Sequence, residues 1–493
     1  MKTLYILSAL GVIALLAEIF QSAPILSRLK KILLPIVLLG LLSAIAAAVK
    51  DWNTNIHYYS NMLTFDNYAI LFTCVICGTA FLWFMMSEKF FKEESSKTDH
   101  YALVLFALCG AMIMVSYSNM VMLFLGIEIL SIPMYVLAGS RKDDLSSNES
   151  ALKYFLMGAF ATGFLLFGIA LLYGFFGTFD LHTIRTALSS SPPSQGIEVG
   201  TEVLLYAGII FMLIGLSFKV SAVPFHFWAP DVYQGAPTQV TAFMSSIVKT
   251  AAFAAFLRLF MTCFSEVGNT WMNIIWIMSA LTILLGNITA VYQNSVKRML
   301  AYSSISHAGY MLLAILAMND NSAGAVLYYA AAYSVSTIGA FTVLSIIENQ
   351  QAASSQQPAV VTFETLSGLA KRNKFLSFTM TIAMLSLSGI PPLAGFFGKY
   401  YIFTSALQNS PDGSQGGYVW LVLIAVLGSL IGVYYYFRVI IKMYSPAPMS
   451  PSGGGEGGGN EISVSSLQKI VLVITILLSL ALGIFPDLII RLI

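Results

Sequence analysis

Four ionisable residues lie inside long apolar stretches of this sequence. Glu128, Lys219, Lys249 and Lys399 each occupy a separate stretch, distant from the others along the chain. A charged side chain at the centre of a bilayer costs about 2.5–3.5 kcal/mol on insertion scales, and such residues usually mark an ion or proton path. The sequence therefore indicates proton or ion movement through a membrane.

Glu128 and Lys219 are the natural partners among these residues, because each would be stabilised by an opposite charge. Making and breaking such a pair changes the proton affinity of the lysine, which suits a switching site. The alternative is a static structural ion pair. Lys249 has no acidic neighbour in sequence, so we expect it to pass a proton on. Its alternative role is a lysine that snorkels to a helix end.

A histidine stands in another apolar stretch, RMLAYSSISHAGYMLL, and can relay protons near neutral pH. His307 follows Tyr302 and Ser303 there, and these three residues form a candidate relay between the lysines. A histidine that is simply hydrogen-bonded in place is an equally good interpretation.

Prolines interrupt two of the apolar stretches beside these lysines. Pro224 follows Lys219 by five residues, and Pro391 and Pro392 precede Lys399. A proline inside a helix removes a backbone hydrogen bond, so each site is either a plain kink or a true break. Interrupted spans at related places in two halves of a chain indicate inverted repeats with broken helices.

The composition identifies the elements that must position these residues. The chain has 493 residues, of which 57% are hydrophobic and 10% charged, with a mean hydropathy of +0.80. A soluble domain carries roughly 25% charged residues, and a membrane span needs about 20 apolar residues. Such runs are too long and uniform for barrel strands, so they predict an all-α, multi-pass membrane protein of about fourteen helices. The candidate spans lie near 4–21, 31–49, 67–87, 101–117, 119–138, 152–177, 203–223, 236–262, 270–290, 299–318, 322–347, 375–407, 418–441 and 466–488.

Charge asymmetry predicts the orientation of the chain. Loops after odd-numbered spans carry 17 of the 25 Lys and Arg residues, and loops after even-numbered spans with the termini carry five. The positive-inside rule places the odd loops in the cytoplasm and both termini outside. Two polar, low-complexity segments, 348–361 and 445–460, are expected to be cytoplasmic spacers.

The sequence excludes several other functions. Nothing in it points to nucleic-acid binding, and it has no haem attachment motif, dinucleotide-binding glycine pattern or P-loop. Cys74 and Cys77 form a CxxC, but without a second ligand pair we interpret them as apolar helix residues. We expect no redox cofactor or metal in this chain, and we expect the apolar N-terminus to be a retained span rather than a signal peptide.

Several stretches resemble the antiporter-like membrane subunits of bacterial NADH:quinone oxidoreductase (respiratory complex I), and subunit N in particular. Examples are GLSFKVSAVPFHFWAPDVYQGAPTQVTAFMSSIVKTAAF at 215–253 and SLSGIPPLAGFFGKYYIF at 386–403, with further matches at 128–178 and 294–313. The resemblance covers most of 100–445. It implies fourteen helices with two inverted five-helix repeats, broken at the seventh and twelfth helices. The repeats would span 101–262 and 263–445, between three N-terminal helices (1–100), a flexible loop (446–465) and a last helix (466–493).

The resemblance also implies roles and partners. Glu128 and Lys219 would form a coupling pair, Lys249 a central relay and Lys399 the terminal lysine on the outward side. The chain would pump protons in the bacterial inner membrane as a subunit without its own cofactor. FMN, iron–sulfur clusters and quinone would belong to partner subunits, with M-type and small K-type subunits as membrane neighbours. The D-type component of multi-subunit sodium/proton antiporters is the alternative, and a structural scaffold is a third possibility.

Overall fold

The computed structural model is almost entirely helical, with one small hairpin. It describes residues 1–19, 24–88, 90, 99–190, 202–355, 360–408, 418–446 and 462–487. The helices are α1 Lys2–Ile19, α2 Pro24–Lys50, α3 Asn67–Met86, α4 Asp99–Ser116, α5 Met120–Ala138, α6 Leu145–Phe176, α7 Leu181–Ser190, α8 Glu202–Val220, α9 Trp228–Gly235, α10 Thr238–Phe243, α11 Lys249–Thr262, α12 Gly268–Val291, α13 Val296–Ala317, α14 Asp320–Ser355, α15 Leu369–Arg372, α16 Lys374–Ser388, α17 Ala394–Gln408, α18 Val419–Tyr444 and α19 Ser466–Ile484. The strands β1 Ile56–Tyr58 and β2 Leu63–Phe65 pair antiparallel.

The lengths of these helices fit a membrane. Within the described residues, 12 helices are long and apolar enough to cross a bilayer, and Lys2–Ala17 and Lys374–Ser388 are shorter apolar helices. The predicted all-α, multi-pass architecture is therefore confirmed. The count of fourteen spans and the division of the chain into five segments stay predictions.

The interruptions expected in the seventh and twelfth spans are present. The helix α8 ends at Val220 and α9 begins at Trp228, whereas α16 ends at Ser388 and α17 begins at Ala394. The chain turns at Ser221 with φ +62° and at Gly389 with φ +85°. A glycine reaches this left-handed region without strain. Pro224 lies in the first gap, and Pro391 and Pro392 lie in the second.

Three long segments form the centre of the bundle, which we call the central axis. An 18-residue stretch within Thr238–Thr262 is wholly buried, as is one within Asn321–Ala352, and 94% of such a stretch within Val296–Ala317 is buried. The segment Thr238–Thr262 joins α10 to α11 through a single π-helical turn, Met244–Val248. In contrast, Ile32–Lys50 is only 28% buried, so the helix that contains it lies at the periphery.

An ion pair fastens the central axis to the helix α3. Asp66 caps α3 by accepting a 2.8 Å hydrogen bond from the Ala69 amide. The same carboxylate oxygen accepts a 2.6 Å bond from Arg258 of α11, whose side chain is only 9% exposed. The cap and the ion pair therefore rest on one side chain.

The interpretation of 348–361 as a spacer is wrong over most of its length. The helix α14 continues to Ser355, and Glu348 within it is buried. Beyond the gap, Val361 accepts a 3.0 Å hydrogen bond from the Val296 amide. The polar sequence does not end the helix, and its first residue, Glu348, accepts a hydrogen bond from the Thr238 hydroxyl. Most of the predicted 446–465 loop lies outside the described residues, as do 356–359.

Candidate functional site

Lys219 is buried at the last turn of α8, directly before the first helix gap. Its Nζ donates a 2.6 Å hydrogen bond to the Ser131 hydroxyl of α5. The Ser131 hydroxyl in turn donates to the Ile127 carbonyl. The Tyr135 ring lies 5.7 Å from the Lys219 ammonium, a distance at which an aromatic ring attracts a cation.

Glu128 lies one turn from Ser131 on the same helix and is half-buried. Among the residues that the structure describes, it forms no ion pair with Lys219, so the expected direct contact is absent. The Glu128 Oε1 atom is buried without a hydrogen-bond partner in this part of the chain. Ser131 occupies the position that sequence reasoning assigned to the carboxylate. Because Ser131 and Glu128 are three residues apart on one helix face, Lys219 has two neighbouring acceptors.

Lys249 is buried and begins the helix α11 directly after the π-helical turn. Its Nζ donates 2.6 Å hydrogen bonds to both the carbonyl and the hydroxyl of Ser304 on α13. No carboxylate of the described residues forms an ion pair with it. Single π-helical turns are rare and occur frequently at functional sites. Here the turn immediately precedes the lysine.

His307 stands one turn beyond Ser304 in a network of hydroxyl groups. Its Nδ1 lies 2.5 Å from the Tyr329 hydroxyl and its Nε2 lies 2.9 Å from the Tyr436 hydroxyl. The Tyr436 hydroxyl is also 2.5 Å from the Ser303 hydroxyl. Each of these groups both donates and accepts, so the network can pass a proton along its hydrogen bonds. Ser303 adjoins Ser304, the partner of Lys249.

Tyr302, the other candidate relay residue, is not part of this network among the described contacts. It is half-buried, and its ring lies 6.0 Å from the guanidinium of Arg298.

Lys399 is buried on α17 beside the second helix gap. Its Nζ donates a 2.9 Å hydrogen bond to the Ser388 carbonyl, which the interruption of α16 leaves free. The Tyr310 ring lies 5.2 Å from its ammonium, and Tyr310 follows His307 by one helical turn. A Cβ atom at Gly389 would lie 3.0 Å from the Lys399 side chain. The glycine therefore provides both the turn and the room for the lysine.

A small cavity of about 10 Å³ joins the histidine network to the second helix gap. It is lined by His307, Tyr329 and Ser386, among others. This volume is close to the minimum that holds one water molecule. Ser386 also accepts a 2.7 Å bond from Ser336. Polar contacts thus form three neighbouring groups, at Lys249 and Ser304, around His307, and at Lys399.

Sequence reasoning missed the residues that connect the charges. These are serine and tyrosine residues within apolar helices: Ser131, Tyr329, Tyr436 and Ser386. Their shared signal is weak, because serine and tyrosine are frequent in buried helices without any role. Only the packing of α13 against α14 and α18 shows which hydroxyls meet His307.

Known proteins are similar to this chain over its whole length. The family described as NADH:quinone oxidoreductase/Mrp antiporter, transmembrane, matches residues 117–432. NADH-quinone oxidoreductase subunit N of Cytophaga hutchinsonii is 41% identical over 493 residues, covering 100% of this chain and 99% of that protein.

Solved structures agree with this similarity. A chain in respiratory complex I from Thermus thermophilus is 32% identical, with a TM-score of 0.79, covering 99% of this chain and 98% of that chain. A chain of the Mrp complex from Dietzia sp. has a TM-score of 0.79 at 18% identity, covering 99% and 96% of the two chains. The second similarity is one of fold alone.

Proposed function

Since this chain belongs to the family of membrane subunits shared by NADH:quinone oxidoreductases and Mrp antiporters, we propose that it translocates protons as a membrane subunit of an NADH:quinone oxidoreductase. The observation that carries this proposal is the row of buried lysines, Lys219, Lys249 and Lys399, none of which forms an ion pair within the described residues. Serine, tyrosine and histidine side chains lie between the second lysine and the third.

The position of Lys219 supports a switch. Its ammonium binds Ser131 while Glu128, one turn away, keeps an unpartnered oxygen. A small movement of the lysine side chain from the serine to the carboxylate moves a positive charge within the bundle. Charges interact strongly in a poorly polarisable interior, so this movement alters the proton affinity of Lys249. A signal from a neighbouring subunit would drive the movement.

The connection from Lys249 to Lys399 supports a transfer path. Lys249 releases a proton to the Ser304 hydroxyl, and the network of Ser303, Tyr436, His307 and Tyr329 carries it on. Lys399 receives the proton beside the second helix gap and releases it on the outward side. Each step moves one proton between groups that can both donate and accept.

The electron-transfer chemistry belongs to other subunits in this proposal. FMN, the iron–sulfur clusters and the quinone site would lie in partner subunits, and this chain would contribute to a proton-translocating enzyme without its own cofactor. M-type and K-type subunits would be its neighbours. The chain would reside in the bacterial cytoplasmic membrane with both termini on the outer side, as its charge asymmetry supports.

A component of a sodium/proton antiporter is the second candidate, because the fold is shared with the Mrp complex. The full-length similarity to subunit N at 41% identity favours the first candidate. Deleting the gene distinguishes them. Loss of an antiporter component causes sodium sensitivity and leaves NADH oxidation unchanged.

The decisive experiment replaces Lys219 with alanine in the whole complex. We expect Lys219→Ala to abolish NADH-driven proton uptake by inside-out membrane vesicles and to lower NADH:quinone activity, with assembly preserved. The matched control is Lys371→Ala, which removes an exposed lysine. Normal proton uptake in an assembled Lys219→Ala complex would contradict the proposal.

A further inference from the structure

A polar cavity of about 430 Å³ lies beside the short helix α9, apart from the row of lysines. At roughly 30 Å³ per molecule, it has room for more than ten waters. Its acidic and basic side chains balance in number, which suits water rather than a charged ligand. The charged residues that line it are Arg141, Asp144, Glu149, Lys153, Asp231, Lys297, Arg298 and Glu348.

Ion pairs between partly exposed side chains line the opening of this cavity. Lys153 pairs with Glu149 at 2.6 Å and with Asp231 at 2.7 Å. Arg298 pairs with Asp231 at 2.9 Å and donates to Gln234 at 2.7 Å. These side chains are partly exposed, so the pairs add little stability. They neutralise one another at the opening.

The floor of the cavity is different, because its two charged side chains are buried. Lys297 is 6% exposed and donates a 2.6 Å hydrogen bond to the Ala236 carbonyl. Glu348 is 7% exposed and accepts a hydrogen bond from the Thr238 hydroxyl. Within the residues that the structure describes, Lys297 and Glu348 do not form an ion pair with each other. Buried charges without an ion pair are costly unless water solvates them, and both line the cavity.

The floor lies close to Lys249. Lys297 and Ser304 are seven residues apart on α13, which places them on one helix face about 10 Å apart. Ser304 is the hydrogen-bond partner of Lys249. The Tyr233 hydroxyl also lies beside Ser304, while its neighbour Gln234 lines the cavity. Tyr233 and Ser304 therefore lie between residues that line the cavity and the central lysine.

We propose that Glu348 takes up protons from cytoplasmic water in this cavity and delivers them towards Lys249, an inference that rests on the proposed function. A proton from cavity water binds the Glu348 carboxylate. It leaves through water and the hydroxyls of Tyr233 and Ser304, each of which releases one proton as it accepts another. The neutral amine of Lys249 becomes an ammonium ion, and the Glu348 carboxylate is restored. Lys297 balances the carboxylate's charge between transfers.

Glu348→Gln in the assembled complex tests this step. Glutamine keeps an oxygen for the Thr238 hydroxyl but carries no exchangeable carboxyl proton. We expect the initial rate of NADH-driven proton uptake to fall about tenfold, less than the hundredfold or more that a positioned acid–base group can contribute, because cavity water still delivers protons slowly. Glu348→Asp should recover part of the rate, and Glu364→Gln, which changes an exposed glutamate, should leave it unchanged.

The outcomes separate this inference from the proposed function. Normal pumping in Glu348→Gln, together with abolished pumping in Lys219→Ala, overturns the role of Glu348 alone. Normal pumping in both variants overturns the proposed function. Should Glu348→Gln not assemble, a water-soluble carbodiimide added to the cytoplasmic face of the wild-type complex must modify Glu348. Mass spectrometry that finds this residue unmodified overturns the proposal.

Discussion

At the scale of single residues, Ser131 holds the buried Lys219 ammonium away from Glu128. Replacing it with alanine removes an acceptor from a buried cation, which costs about 1–3 kcal/mol. The lysine then moves to the carboxylate, the remaining acceptor nearby. We expect Ser131→Ala to slow NADH-driven proton uptake several-fold in an assembled complex, measured in inside-out vesicles. Ser131→Thr keeps the hydroxyl and should pump normally, so equal rates in the two variants would refute the switch.

The buried lysines of the candidate site were predictable from the sequence, whereas Glu348 and the groups that lie between the lysines were not. A lysine such as Lys249 stands out in an apolar stretch because its burial is costly. Glu348 escaped notice because the polar run ENQQ begins with it, and this run is typical of a loop. Its burial depends on Thr238, which is 110 residues away. Long-range packing of this kind leaves no local pattern.

At the scale of elements, Asp66 joins α3 to the central axis in two ways that substitution can separate. Asp66→Asn keeps the helix cap but leaves the buried Arg258 guanidinium unpaired, which we expect to cost about 1–3 kcal/mol, since Asp66 is partly exposed. Asp66→Ala also removes the cap, for about 1 kcal/mol more. The thermal midpoint of the detergent-solubilised complex should fall in that order. Asp143→Asn, an exposed change, is the control, and equal midpoints for all variants would contradict the double role.

Most helices were predictable because a chain that crosses a bilayer must satisfy its backbone hydrogen bonds internally. Backbone groups at membrane depth must be hydrogen-bonded internally, so every long apolar run becomes a helix. The breaks after Lys219 and before Lys399 followed from their prolines. The π-helical turn before Lys249 did not, because MSSIV has no proline or glycine to mark it. The polar end of α14 was missed for the complementary reason, since helix formation continues beyond the apolar run.

At the scale of the whole molecule, the lysines should act as one path. Lys249→Ala and Lys399→Ala should each abolish most proton uptake, and the double variant should be no worse than either, because residues that act as a unit are strongly non-additive. Initial rates of uptake in inside-out vesicles measure this. The variant that combines Lys249→Ala with Lys371→Ala, at an exposed position, controls for any loss of assembly that two substitutions cause. If the fold-loss of proton uptake in the double lysine variant equals the product of the two single fold-losses, the lysines lie on two independent routes.

The burial of the ionisable residues on the central axis separates proton transfer from the composition of the surrounding lipid. Lys249, His307 and Glu348 are 2%, 3% and 7% exposed within this chain, so acyl chains do not touch them. Some bacteria change the acyl chains of their lipids as the temperature changes. This alters the lipid that contacts the peripheral helix α2. The protein side chains that surround the buried lysines stay the same. Substitutions on the outer helices therefore change lipid contacts without changing the surroundings of the buried lysines.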